Sequence, residues 1–129
     1  MTFGDLLKRF REERGFTLRD LGKLSGIDHA YIYRLETGEK EAPSNEIVKT
    51  LTRALKLDSR RAHILGFLVR QPVADDLGNL ILEEPEYSPG DFESAAQMSF
   101  RGARPRGKDA WRKLLHRIQE MREEFERDK

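Results

Sequence analysis

Cysteine is absent from this 129-residue sequence, which excludes a disulfide framework, a thiolate metal site and a thiol nucleophile. No apolar run approaches the ~20 residues of a membrane-spanning helix. The N-terminal stretch MTFGDLLKRF is amphipathic, with charges at positions 5, 8 and 9, unlike the apolar core of a signal peptide. A cytoplasmic protein is expected. Histidine is scarce: His29, His63 and His116 fall in three different segments, with no histidine or carboxylate at ligand spacing, so no metal is expected. No Gly-rich phosphate loop follows a strand, and no strand pattern occurs at all. Adjacent acids such as Asp75-Asp76, Glu83-Glu84 and Glu123-Glu124 point apart on a helix and suit solvated faces rather than paired catalytic carboxylates. The chain reads as all-α and non-enzymatic, with no cofactor.

Net charge is nearly absent too, at +1, but its distribution is uneven. Residues 1–71 hold 14 Lys/Arg against 10 Asp/Glu, residues 72–100 hold none against 7, and residues 101–129 hold 10 against 6. An acidic segment therefore lies between two basic ones. The chain is long enough for one domain with a tail, or for two small ones.

The most informative stretch runs from Thr17 to Gly38, TLRDLGKLSGIDHAYIYRLETG. Thr17 and Asp20 have the spacing of a capping box, and Leu18, Leu21 and Leu24 follow at three-residue steps along one face. Ser25-Gly26 stops that helix, since glycine supplies the left-handed backbone of a sharp turn. Asp28 caps a second helix, in which Ile32 and Leu35, flanked by Ala30 or Tyr31, point inward, and Thr37-Gly38 ends it. Two such helices with a glycine turn form a helix-turn-helix, whose second helix can enter the major groove.

Over roughly Phe3 to Leu57 the chain resembles the lambda-repressor-like, or XRE-type, family of DNA-binding regulators. The residues that carry the resemblance are Arg11 before Glu-Arg-Gly, Thr17, Leu21, Gly22, Gly26, Ile32, Leu35-Glu36, Gly38 and Pro43-Ser44. It implies a five-helix domain and an internal ion pair between Arg11 and Glu36. Gly22 is expected where the two helices cross, with Ile32 packed on it. By resemblance, Asp28, His29, Ala30, Tyr33 and Arg34 face the bases, and Thr17, Arg19, Thr37 and Lys40 complete the expected DNA-contacting set. Arg34 has the chemistry to pair with guanine O6 and N7, and Ala30 suits a thymine methyl. In two places the chain departs from the family. Leu18 stands where many relatives have a phosphate-binding glutamine, leaving Arg19 or the helix N-terminus to replace that contact. The loop Glu39-Lys40-Glu41 places its lysine between two acids, where relatives often carry more cations.

In chain order, Phe3, Leu6, Leu7, Phe10 and Arg14 predict a first helix from about Thr2 to Arg14, with Phe3, Leu7 and Phe10 in the core. Ser44 caps a helix carrying Ile47, Leu51, Ala54 and Leu55. Asp58 or Ser59 caps the next, with Ala62, Leu65, Leu68 and Val69 on one side. Val73, Leu77, Leu80 and Ile81 fit a short helix ending before Pro85, and Asp91 is expected to cap another through Phe100. Residues 101–108, RGARPRGK, read as a mobile basic linker, the alternative being an arm on DNA phosphates. Asp109 is expected to cap a last helix whose stripe of Trp111, Leu114, Leu115, Ile118, Met121 and Phe125 suits a helical partner.

The domains expected are thus a helix-turn-helix domain (1–71), an acidic helical segment (72–100), a basic linker (101–108) and an amphipathic helix (109–129). The stripe of that helix either packs on the acidic segment or pairs with a second copy, and dimerisation is the favoured reading, because one recognition helix reads few base pairs. The expected function is a sequence-specific transcriptional regulator, a repressor that binds an inverted-repeat operator as a homodimer. The rival is an antitoxin or protein-binding autoregulator, whose acidic segment holds a basic toxin or protease.

Overall fold

The computed structural model describes residues 1–40 and 43–128 and is helical throughout, without strands among the described residues. The helices are α1 (Phe3–Glu13), α2 (Leu18–Ser25), α3 (His29–Thr37), α4 (Asn45–Ala54), α5 (Ser59–Arg70), α6 (Asp75–Glu83), α7 (Pro89–Gln97) and α8 (Lys108–Arg127). They form two compact units, residues 1–72 and 73–129. No described helix is long and apolar enough to cross a membrane.

In the first unit α1 packs on α3 and α5, and α2 packs on α3 and α4. Thr2 caps α1 through a capping box with Asp5, so the helix starts one residue after the predicted position and ends at Glu13, with Arg14 as its C-cap. Phe3, Leu6, Leu7 and Phe10 are buried, as are Leu21, Ile32, Leu35, Leu51, Leu55, Leu65 and Phe67. Each such side chain contributes roughly 1.5–3 kcal/mol by leaving water. On α5 the buried set is Ile64, Leu65, Phe67 and Leu68, so Val69 of the predicted stripe yields its place to Ile64 and Phe67.

Two close approaches fix where α3 lies. A Cβ at Gly4 would come within 2.6 Å of the Glu36 carbonyl oxygen and also meet that of Leu35, so only glycine lets α1 rest on the end of α3. A Cβ at Gly22 would meet Ile27 O at 3.1 Å and His29 Cβ at 3.3 Å. The three heavy atoms nearest that position belong to the turn and the start of α3, and Ile32 is buried in the core. Leu24 is 58% exposed despite its place in the predicted stripe. It sits in the last turn of an eight-residue helix that ends at Gly26, where φ is +75°.

In the second unit α8 lies on both α6 and α7. Trp111, Leu115 and Ile118 are buried with Leu77, Leu80, Ile81, Tyr87, Phe92 and Ala95. The stripe predicted as one dimer seam is therefore divided: those three residues fill the core of their own chain, Leu114 is half-buried, and Met121 and Phe125 remain 57% and 74% exposed. Two expected caps also differ. Ser88 caps α7 with Pro89 at its first position, which puts Asp91 inside the first turn. The cap of α8 is Gly107, with φ +83° and no side-chain hydrogen bond, and Asp109 lies within the first turn.

The acidic segment is held by the cations of α8. Arg122 makes two bonds to the buried Asp91, at 3.1 and 3.3 Å. Arg112 Nε reaches both oxygens of Glu84, at 2.9 and 3.0 Å, and Lys108 Nζ lies 2.7 Å from Glu83. Asp76 accepts from the Trp111 indole N–H at 2.8 Å and from the Gly107 N–H at 2.7 Å.

Candidate nucleic-acid interface

The local sequence of α2 and α3 dictates their geometry. Thr17 Oγ1 accepts the Asp20 N–H at 3.0 Å while the Asp20 carboxylate accepts the Thr17 N–H at 2.9 Å. These bonds from Thr17, backbone first, hold the Asp20 carboxyl below its ordinary pKa. Gly26 turns the chain in the left-handed conformation, and Asp28 Oδ1 accepts the Ala30 N–H at 3.0 Å to open α3. At the far end Gly38 adopts φ +83°, and the Lys40 N–H bonds back to the Arg34 carbonyl at 3.1 Å.

With Ile32 and Leu35 buried, the 3.6-residue period presents the opposite side of α3 to solvent. His29, Ala30, Tyr33, Arg34 and Thr37 occupy that side and are all exposed, Tyr33 at 51%. Of the two residues expected to flank the inward stripe, Tyr31 is half-buried and Ala30 is not. Among the described residues, none forms an ion pair with Arg34. Asp28 is exposed at the head of the same face, but its carboxylate is engaged as the helix cap. His29 Nδ1 lies 3.7 Å from Asp28 Oδ1. The Thr37 hydroxyl donates to the Arg34 carbonyl at 3.3 Å.

The remaining candidates surround this face. Thr17, Arg19 and Lys40 are exposed. A shallow groove crosses from α2 to the start of α3 and is lined by Arg19, Lys23, Asp28 and His29. Lys23, one helical turn after Arg19, is the cation that the sequence reading passed over; its i, i+4 spacing from Arg19 was the available signal. Glu41, part of the predicted acidic loop, lies outside the described residues.

The support for α3 is internal and charged. Arg11 Nε bonds Glu36 Oε2 at 2.7 Å and Arg11 Nη2 bonds Glu36 Oε1 at 2.8 Å, while Arg11 Nη1 reaches the Phe16 carbonyl at 2.8 Å. The two side chains are only 11% and 4% exposed. Their hydrogen bonds raise the pKa of the Arg11 guanidinium above its ordinary value. A fork-on-fork pair of this kind sets an angle as well as a distance, so it fixes α3 relative to α1.

Among the described residues, no group of three His, Cys, Asp or Glu side chains could hold a metal ion. His116 sits in the second unit, its Nε2 at 3.1 Å from the Tyr87 hydroxyl.

Comparison with known proteins agrees with this geometry. Residues 2–64 match the family model described as "Helix-turn-helix domain". The chain is 39% identical over 56 residues to the HTH-type transcriptional repressor RghR of Bacillus subtilis (strain 168), a match covering 43% of this chain and 42% of that relative. The chain thus spans less than half the length of the relative it matches. On the family match, the capped helix pair and the internal ion pair, the N-terminal unit belongs to the XRE-type, lambda-repressor-like family of helix-turn-helix domains.

Proposed function

We propose that the protein is a sequence-specific DNA-binding transcriptional regulator, a repressor that occupies an inverted-repeat operator as a homodimer in the cytoplasm. The observation that carries this reading is the exposed face of α3, where His29, Ala30, Tyr33 and Arg34 stand clear of a core that buries Ile32 and Leu35. Arg34 pairs with a guanine in the major groove, and Tyr33 and His29 meet neighbouring base edges or phosphates. Arg19 and Lys23, with the Thr17 hydroxyl, hold the phosphate backbone beside α2, and Lys40 holds it beyond α3. Asp28 contributes as the cap of α3 rather than as a base reader. The name of the bacterial relative, a transcriptional repressor, supports steric repression, in which an operator overlapping a promoter is occupied.

The dimer contact in this reading is the outer end of α8. Leu114, Met121 and Phe125 share one edge of the helix at heptad-like spacing, and the last two are open to solvent. The rival reading, an acidic segment that grips a basic protein, is weakened because Asp76, Glu83, Glu84 and Asp91 are engaged within their own unit.

Selecting bound sequences from a random duplex pool tests DNA reading. An inverted repeat with half-sites about one turn, roughly 34 Å, apart is expected; no enriched sequence would contradict it. For the dimer, Met121→Asp with Phe125→Asp should give a monomer by sedimentation, with weakened operator binding and a folded second unit. Leu115→Asp should instead unfold that unit. A double variant that stays dimeric would rule out this contact.

A further inference from the structure

The basic stretch between α7 and α8 is not a free linker. The Phe100 ring meets Trp111 edge-on, with centroids 6.2 Å apart and planes at 81°. At the other end, the Gly107 N–H is bonded to Asp76 at 2.7 Å. Asp76 also holds the Trp111 indole, so both ends of the stretch are fixed to the same tryptophan and its partner. Pro105 restricts the backbone between them. The result is a closed loop with fixed ends, presenting Arg101, Arg104 and Arg106 to solvent.

These arginines differ from three of the cations of α8. Lys108, Arg112 and Arg122 are each paired with a carboxylate of the acidic segment. Among the described residues, none pairs ionically with Arg101, Arg104 or Arg106. The Arg104 guanidinium lies over the Phe100 ring, 5.8 Å from its centroid, which orients it without neutralising it.

We propose that residues 101–106 form a second nucleic-acid contact, a clamp for the phosphate backbone of duplex DNA, independent of the bases read by α3. The proposal rests on the DNA-binding reading above. Three guanidinia on a fixed loop suit a regularly spaced row of phosphates, which each can grip in bidentate fashion. Single-stranded nucleic acid fits less well, because it needs an open aromatic face for base stacking, and the Phe100 ring is committed to Trp111 and Arg104. A membrane surface fits less well too, since surface binding joins cations to an exposed large apolar group, and residues 101–107 contain none.

The test is the salt dependence of binding by the full chain to its selected duplex and to a scrambled one. The native protein is compared with Arg101→Gln/Arg104→Gln/Arg106→Gln. Each lost phosphate contact should lower the slope of log affinity against log salt by about 1, hence by at most about 3, on both duplexes. The selected sequence should remain the same. Arg101→Glu/Arg106→Glu, which leaves Arg104 on Phe100, should weaken binding further per residue changed, and its Trp111 fluorescence reports whether the unit stays folded. A slope unchanged in both variants would overturn the clamp while leaving the α3 reading intact. A native chain that binds neither duplex would overturn both.

Discussion

The two units use their charges in opposite ways. In the N-terminal unit one ion pair, Arg11–Glu36, is buried, while Arg19, Arg34 and Lys40 stand at the surface. In the C-terminal unit the pairs are partly exposed and form the seam itself, with Arg112 on Glu84 and Lys108 on Glu83. A near-zero net charge therefore has two origins. Around α3, Arg19, Arg34 and Lys40 are exposed; along α8, Lys108, Arg112 and Arg122 are paired with carboxylates of the acidic segment. Charge summed over a segment does not distinguish these cases, whereas the partner of each side chain does.

The largest effect expected from breaking this contrast is in the first unit. Glu36→Ala leaves Arg11 buried without its carboxylate, and losing one partner of a buried pair costs about 3–5 kcal/mol. The loss should appear in chemical denaturation of the first unit. A loss under about 1 kcal/mol would place the pair with ordinary surface bridges.

In the second unit the corresponding change, Arg112→Gln, should cost less and fade with added salt, because that pair is partly exposed. Its pH dependence sharpens the difference. Hydrogen bonding from Arg112 holds Glu84 below its ordinary pKa of 4.5. A depressed carboxyl pKa stabilises the fold above the unfolded value, and that contribution disappears as pH falls through and below it. Stability of the native second unit should therefore drop on acidification below pH 4.5, and Arg112→Gln should flatten that part of the profile. An identical acid profile in the variant would contradict the assignment.

Much of the first unit was legible in the sequence because its determinants are local. The Thr17–Asp20 capping box, the Gly26 turn and the Ile32–Leu35 pair each lie within a few residues of one another, and the structure realises them. Leu24 misled because periodicity assigns a face without saying where the covering elements end. Gly4 gave no local sign of its role, since the Glu36 carbonyl it faces lies far along the chain. In the second unit, Asp91 resembles a helix cap by type and position, but its partner Arg122 is 31 residues away. Trp111, Leu115 and Ile118 form an apolar stripe whether the helix facing them belongs to the same chain or to a copy. Only the placement of α6 and α7 decides it, and that placement leaves Met121 and Phe125 as the part still open.

The most direct test of the central claim, that the open face of α3 reads bases, is the affinity of native protein and Arg34→Ala for the selected half-site and every single-base-pair change in it. Arg34→Ala is expected to lose about 1–3 kcal/mol of discrimination at one base pair, a guanine in the native preference, and to leave the other positions unaltered. Weakening spread evenly over all sequences would make Arg34 a phosphate contact and contradict the base-reading role assigned to it.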